Sequence, residues 1–250
     1  MKPISTIDDV INVLDSIIEE CLTTESTLGY FAVLYQKVTI KVKEGIAAGF
    51  FDDGPRMEKL DVIFAKRYID AYFAWKENKN VTSSWEKAFS LAEDKKLLVT
   101  QHLLLGMNAH INLDLGIAAA EVSGKTPIAE LENDFIKINA ILALLVDEVQ
   151  NGLSSIWPLL RRILKWFGKV DNYILDFSMK IARDGAWRFA CNLATFEPGH
   201  RPAQFELRDK KVAAKSAIVS SPGKWIQLVL WVIRLTEIGT VTQNIKKLKQ

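Results

Sequence analysis

The sequence predicts an all-α fold, a single domain in which about eight to ten helices pack around one buried central helix. Three observations carry this prediction. Apolar residues recur at helical rather than alternating spacing along nearly the whole chain. The segments are separated by helix punctuation: Ser, Thr or Asp before a run, Pro in its first turn, Gly at its end. The stretch 94–123, DKKLLVTQHLLLGMNAHINLDLGIAAAEVS, lacks a strongly polar face, as expected of a helix enclosed by other helices.

Taken in order, Ser5 and Thr6 with Asp8 and Asp9 open a first amphipathic helix to about Leu22. A second runs from near Thr27 to Gly49, glycine being the usual left-handed stop. Gly54-Pro55 starts a third, with Pro where its missing N–H costs nothing, to about Glu77. Ser83 and Glu86 have capping-box spacing and start a short helix to about Glu93, leading into the central helix that Gly124 ends. Thr126-Pro127 opens a long helix to Asn151-Gly152, Ser154 or Ser155 with Pro158 another to about Phe167, and a further one spans Val170 to Thr195. FEPGHRPA, from Phe196 to Ala203, is expected to be a loop because of its two Pro-containing turns. Helices around Gln204 to Val219 and Lys224 to Ile238 complete the expectation.

Two hundred and fifty residues at 49% hydrophobic bury a large core, and no shift of composition divides the chain. The net charge of +2 hides an asymmetry: residues 201–250 carry ten Lys or Arg against three acids, the rest twenty-two against twenty-seven. Cys21 and Cys191 have no Cys or His cluster around them, so reduced thiols are expected rather than a disulfide framework or zinc knuckle. The opening MKPISTIDDV has no uninterrupted apolar run and turns acidic at once, so no ordinary signal peptide is expected. The interrupted apolar runs Ile138 to Val146 and Ile226 to Ile233 fall short of the roughly 20 residues of a membrane span. A soluble, cytoplasmic protein is the expectation. The amphipathic segment Ile156 to Lys169, with Trp157 and Trp166, admits a peripheral membrane contact. Dinucleotide, P-loop, serine-hydrolase and zincin motifs are missing, as are the Glu-x-x-His pairs of a di-iron bundle and any nucleic-acid-binding signature.

The polar residues of the central helix are the candidate site. His102, Gly106, His110 and Asp114 fall on one i, i+4 stripe, and Asn108 and Asn112 on another. A buried polar group without a partner costs on the order of 1–3 kcal/mol, so the cluster implies a network or a ligand. His110 and Asp114, one turn apart, have the spacing of helical metal ligands, so a divalent metal could sit between them. His102 lies about 12 Å from His110 along the axis at ~1.5 Å per residue, and Gly106 offers a notch between the two imidazoles. Asp61 and Tyr68 on the third helix, and Arg183 and Trp187 on the helix from Val170, carry the carboxylate, aromatic and guanidinium groups that orient a substrate.

The stretches LGYFAVLYQKVT, EGIAAGFFDDGPRMEKLDVIFAKRYIDAY, HLLLGMNAHINLDLGIAAAEV and, more loosely, RDGAWRFACNLA resemble an uncharacterised bacterial family known as a domain of unknown function. The resemblance spans about Ile7 to Ala194 and implies a bacterial protein of this length, with no activity attached. The pattern H-x3-G-x3-H-x3-D is also loosely similar to helices of zinc-dependent phospholipase C and related single-strand nucleases, whose further His ligands are missing here.

Three functional readings follow. The first is an enzyme acting on a small, partly apolar molecule, with His110 and His102 as acid or base, Asp114 or Asp61 orienting, and Gly106, Asn108, Asn112, Tyr68, Arg183 and Trp187 lining the pocket. The second is a non-catalytic carrier of a hydrophobic ligand, or a docking module for a membrane or protein. The third is a metal-dependent hydrolase built on His110 and Asp114.

Overall fold

The computed structural model describes residues 3–94, 96–124, 126–138, 141 and 179–250. Within them the chain is an all-α multi-helix bundle, and no strand occurs among the described residues. The expected helix from Ser154 to Phe167, about half of that from Thr126 to Gly152 and the start of that from Val170 lie outside the described residues.

Helix α1 (Ile7–Thr24) begins at a reciprocal cap, the Thr6 hydroxyl accepting from the Asp9 backbone and the Asp9 carboxylate from the Thr6 backbone. Its buried Val10, Leu14, Ile17, Ile18 and Cys21 follow helical spacing and pack on α2 (Leu28–Ala47). Gly49 leaves α2 with a φ of +66°, the left-handed stop expected of it. Helix α3 (Gly54–Lys76) follows, with Pro55 in its first turn and the Asp53 side chain accepting from the Arg56 backbone. The turn into α3 is pinned by the fully buried Asp134, which accepts from the Asp52 and Asp53 backbones at 2.7 and 3.0 Å.

Helix α4 (Ser83–Ser90) departs from the expected capping box. No side chain of its own caps it. The Ser83 and Ser84 amides donate instead to the two oxygens of Asp209, at 2.7 and 2.9 Å. A 3-10 turn, Leu91–Glu93, and extended backbone at Asp94 separate α4 from the central helix, which begins at Val99 rather than at residue 94.

That central rod is α5 (Val99–Ala109), a π-helical turn (His110–Asp114) and α6 (Leu115–Ser123). Gln101 secures its start, its amide oxygen accepting from the Leu98 backbone and its nitrogen donating to the Val219 carbonyl. By length and composition Val99–Ser123 matches a membrane span, but 94% of that window is buried inside the protein, as befits the core helix of a bundle.

Helices α2, α4 and α8 (Arg201–Ser220) surround α5, whereas α3 and α7 (Met179–Ala194) flank α6. Gly116 makes the α6–α7 approach possible: a Cβ there would sit 2.8 Å from the Phe189 ring and 2.9 Å from the Ala186 carbonyl oxygen. The predicted loop FEPGHRPA is shorter than expected. Pro198–His200 is a 3-10 turn, and α8 starts at Arg201 with Pro202 in its first turn. Helices α9 (Lys224–Thr236) and α10 (Val241–Lys249) close the fold, the latter unforeseen although Thr240 and Gln243 form a capping box at its start.

Candidate functional site

The central rod changes its hydrogen-bonding at His110–Asp114, where the i→i+4 ladder becomes a π turn. Such single-turn insertions are rare and are found mostly where function needs them. A π turn leaves a carbonyl short of its α-helical donor, and inside this one Arg208 Nε donates to the Asn112 carbonyl at 2.8 Å.

Asp114 is the hub. Its carboxylate is 1% exposed and accepts from Arg67 Nε at 2.7 Å through Oδ1 and from Trp85 Nε1 at 2.8 Å through Oδ2, with His110 Nδ1 at 3.2 Å from Oδ2. Burial alone raises the pKa of this carboxyl, but the Arg67 charge and the bonds from His110 and Trp85 outweigh it and hold it below the ordinary value. Asp114 is therefore ionised and accepts only, which places the His110 proton on Nδ1 and leaves Nε2 as an acceptor. Burial also depresses His110, against the opposing pull of Asp114, so the imidazole is neutral.

Aromatic rings fix that imidazole. Phe64 stacks on it at 3.6 Å and 7°, and Tyr35 meets it edge-on at 4.4 Å. Phe31 and Trp85 stand further off, at 5.7 and 5.9 Å. Four buried polar atoms in this region, His110 Nε2, Tyr35 Oη, Tyr68 Oη and Asp61 Oδ2, have no hydrogen-bond partner among the described residues. Burial, reinforced by Glu58, pushes the Asp61 carboxyl up to about 8, so it is protonated at neutral pH. Burial, then the nearby Asp61 and Asp114, likewise raises the Tyr35 phenol.

A cleft of about 680 Å³ opens over the hub, inside the ~300–1,000 Å³ range of small-molecule sites. Arg67, Trp85 and Asp114 line it together with the apolar Ile63, Ala71, Ala74 and Val81, and with Lys66, Asp70, Asn80, Thr82 and Glu121. Arg67 is held to the protein through Nε alone, so its terminal amino groups make no hydrogen bond to the described residues.

The other candidates scatter. His102 is not near His110: it packs against Tyr30 at 5.8 Å, its Nδ1 has no partner among the described residues, and burial pushes its pKa down to about 4. The notch at Gly106 is filled, because a Cβ there would lie 2.5 Å from the Phe31 ring. Asn108 and Asn112 stitch the rod to α8: Asn108 Nδ2 donates to the Val212 carbonyl at 2.9 Å and the Ser216 hydroxyl at 3.2 Å, and Asn112 Nδ2 donates to Asn108 Oδ1. Arg183 and Trp187 belong to α7, away from the cleft lining, where Trp187 packs on Phe135 at 4.8 Å.

His110 and Asp114 do not fit a divalent cation. Both carboxylate oxygens already accept N–H groups, one from a guanidinium whose charge repels a second cation. No group of three or more His, Cys, Asp or Glu side chains with metal-binding geometry occurs among the described residues.

Sequence reasoning missed Arg67, Trp85, Tyr35 and Phe64. The one signal was Trp85 itself, a large aromatic in the otherwise polar helix start SSWEK.

The chain matches, over residues 7–222, a family model described as a family of unknown function (DUF5995). The chain belongs to that family. No curated protein and no solved structure matches it.

Proposed function

We propose that the chain binds a small, partly apolar molecule in the cleft over Asp114, gripping a hydrogen-bond-accepting head such as a carboxylate with Arg67. One observation carries this reading. Buried Asp114 holds the Arg67 guanidinium by its Nε, leaving the terminal amino groups to the cleft that Arg67 lines. A guanidinium oriented from behind is pre-organised for a bidentate partner, so less side-chain entropy is lost on binding. Ile63, Ala71, Ala74, Val81 and the Trp85 ring supply the apolar wall for the rest of the ligand.

Calorimetric titration with hexanoate and with 1-hexanol tests the reading. Hexanoate is expected to bind saturably, more tightly than the alcohol. Arg67→Gln should weaken hexanoate by about tenfold, the contribution of a charge-assisted bond of ~1.5 kcal/mol or more, while leaving the alcohol unchanged. Absence of binding by both probes, or an equal loss for both in the variant, refutes it.

A second reading, acid–base catalysis, is favoured by the imidazole: His110 Nδ1 is tied to an ionised carboxylate and Nε2 has no partner among the described residues. In that reading His110 accepts a proton at Nε2 and Asp114 stabilises the resulting cation. Turnover lost in His110→Gln but retained by ligand binding would separate it from simple carriage.

A further inference from the structure

Helix α9 presents apolar side chains in two directions. Val229, Leu230 and Ile233 are buried against the core, whereas Leu228, Trp231 and Leu235 on the opposite side are 50%, 59% and 67% exposed. At ~3.6 residues per turn these three fall within about 60° of arc, with Lys224 among them. Ile218 before the helix and Ile238 after it are also more than half exposed. Gln227 and Arg234 occupy only one flank between these two apolar sides, and a contiguous exposed apolar patch marks an interaction surface.

Charge identifies what covers it. Residues 201–250 hold ten Lys or Arg against three acids. On α8 the exposed Lys211 and Lys215 share a stripe with Ile218 at i, i+4 and i+7, running toward the turn into α9. Lys224 on this Trp- and Leu-bearing face, with further exposed lysines on the preceding helix, suits an interface of headgroup phosphates over acyl chains. A second copy would bring the same lysines against themselves across a two-fold axis. A lone helix face also offers a protein partner no groove, and a lipid surface requires none.

We propose that the α8–α9 corner docks on an anionic lipid bilayer, Leu228, Trp231 and Leu235 entering the headgroup boundary and Lys211, Lys215 and Lys224 meeting the phosphates. The contact is peripheral and separate from the cleft over Asp114.

Flotation of the full chain with vesicles tests this, using phosphatidylcholine alone or mixed with phosphatidylglycerol. Binding is expected to the mixed vesicles only and to weaken with added salt, since the charge part is screened. The triple variant Leu228→Glu, Trp231→Glu, Leu235→Glu should lose it. The variant Lys211→Glu, Lys215→Glu, Lys224→Glu, which touches no apolar contact, should weaken it by about tenfold or more. Circular dichroism checks that both fold. Failure to float with mixed vesicles overturns the proposal, as does flotation unchanged in the lysine variant. A concentration-dependent mass in light scattering that the lysine variant leaves intact and the apolar variant abolishes also overturns it, assigning the face to a second copy.

Discussion

Asp61→Asn isolates a buried carboxyl whose Oδ2 has no hydrogen-bond partner among the described residues. The Asp61 carboxyl has an ordinary value of 3.8 and is pushed to about 8 by burial. Between those limits the folded chain keeps a proton that the unfolded chain has released, so the native state binds more protons and stability falls as pH rises. At ~1.4 kcal/mol per pH unit, the gap from 3.8 to about 8 puts the accumulated loss on the order of 6 kcal/mol, complete above the folded-state value. Asparagine has the same shape and does not ionise. Urea unfolding at a series of pH values from about 5 to about 9, compared between wild type and variant, reads the effect, because every other titrating group cancels in the difference. The variant is expected to gain steadily on the wild type as pH rises and to be the more stable at the alkaline end. Parallel curves, or a variant weaker throughout with no change of slope, would refute the reasoning that Asp61 is buried away from any charge partner.

Two further perturbations have definite outcomes. His102 is held at about 4 against an ordinary 6.5 by burial, so the unfolded chain binds the extra proton in that window and stability drops as pH falls through it, by on the order of 3 kcal/mol. His102→Gln should remove that acid sensitivity in the same urea series, and an imidazole NMR titration should find His102 neutral down to about pH 4. Gly106→Ala drives a methyl to 2.5 Å from the Phe31 ring. Overpacking of about 1–3 kcal/mol outweighs the ~1 kcal/mol helix gain of alanine, and Phe31→Leu combined with it should lose less than the two single changes summed. A Gly106→Ala protein more stable than wild type would mean that the ring does not fill this space.

What the sequence revealed and what it hid divide by the range of the interaction. The Thr6 cap, the Gly49 stop and the Pro55 start are written in adjacent residues, and each helix end sits where they put it. The start of α4 is not local: its amides bond to Asp209, which no pattern around Ser83 can indicate. FEPGHRPA suggests turns only where proline acts as a breaker, whereas Pro202 sits in the first turn of a helix, where proline is equally at home. Thr240 and Gln243 did carry a legible cap, overlooked in a short basic segment. At the site, the spacing of His110 and Asp114 was visible one turn apart, but the π turn that carries them was not, since i→i+5 bonding leaves no mark on apolar periodicity. Arg67 sat off the face shared by Asp61 and Tyr68 because a helical wheel knows only its own helix, and the long guanidinium reaches a carboxylate on another. Gly106 suggested an opening for a ligand, and the space went to a ring from α2.

The most direct test of the account is the indole N–H resonance of Trp85 in a nitrogen-15 spectrum, assigned with Trp85→Phe. Its bond to Asp114 at 2.8 Å makes it a reporter on the floor of the cleft. Titration with hexanoate is expected to shift this signal saturably, more than any other indole, and Arg67→Gln should move the midpoint to about tenfold higher hexanoate. A Trp85 signal that stays still while hexanoate moves resonances elsewhere would contradict the claim that the cleft over Asp114 is the binding site.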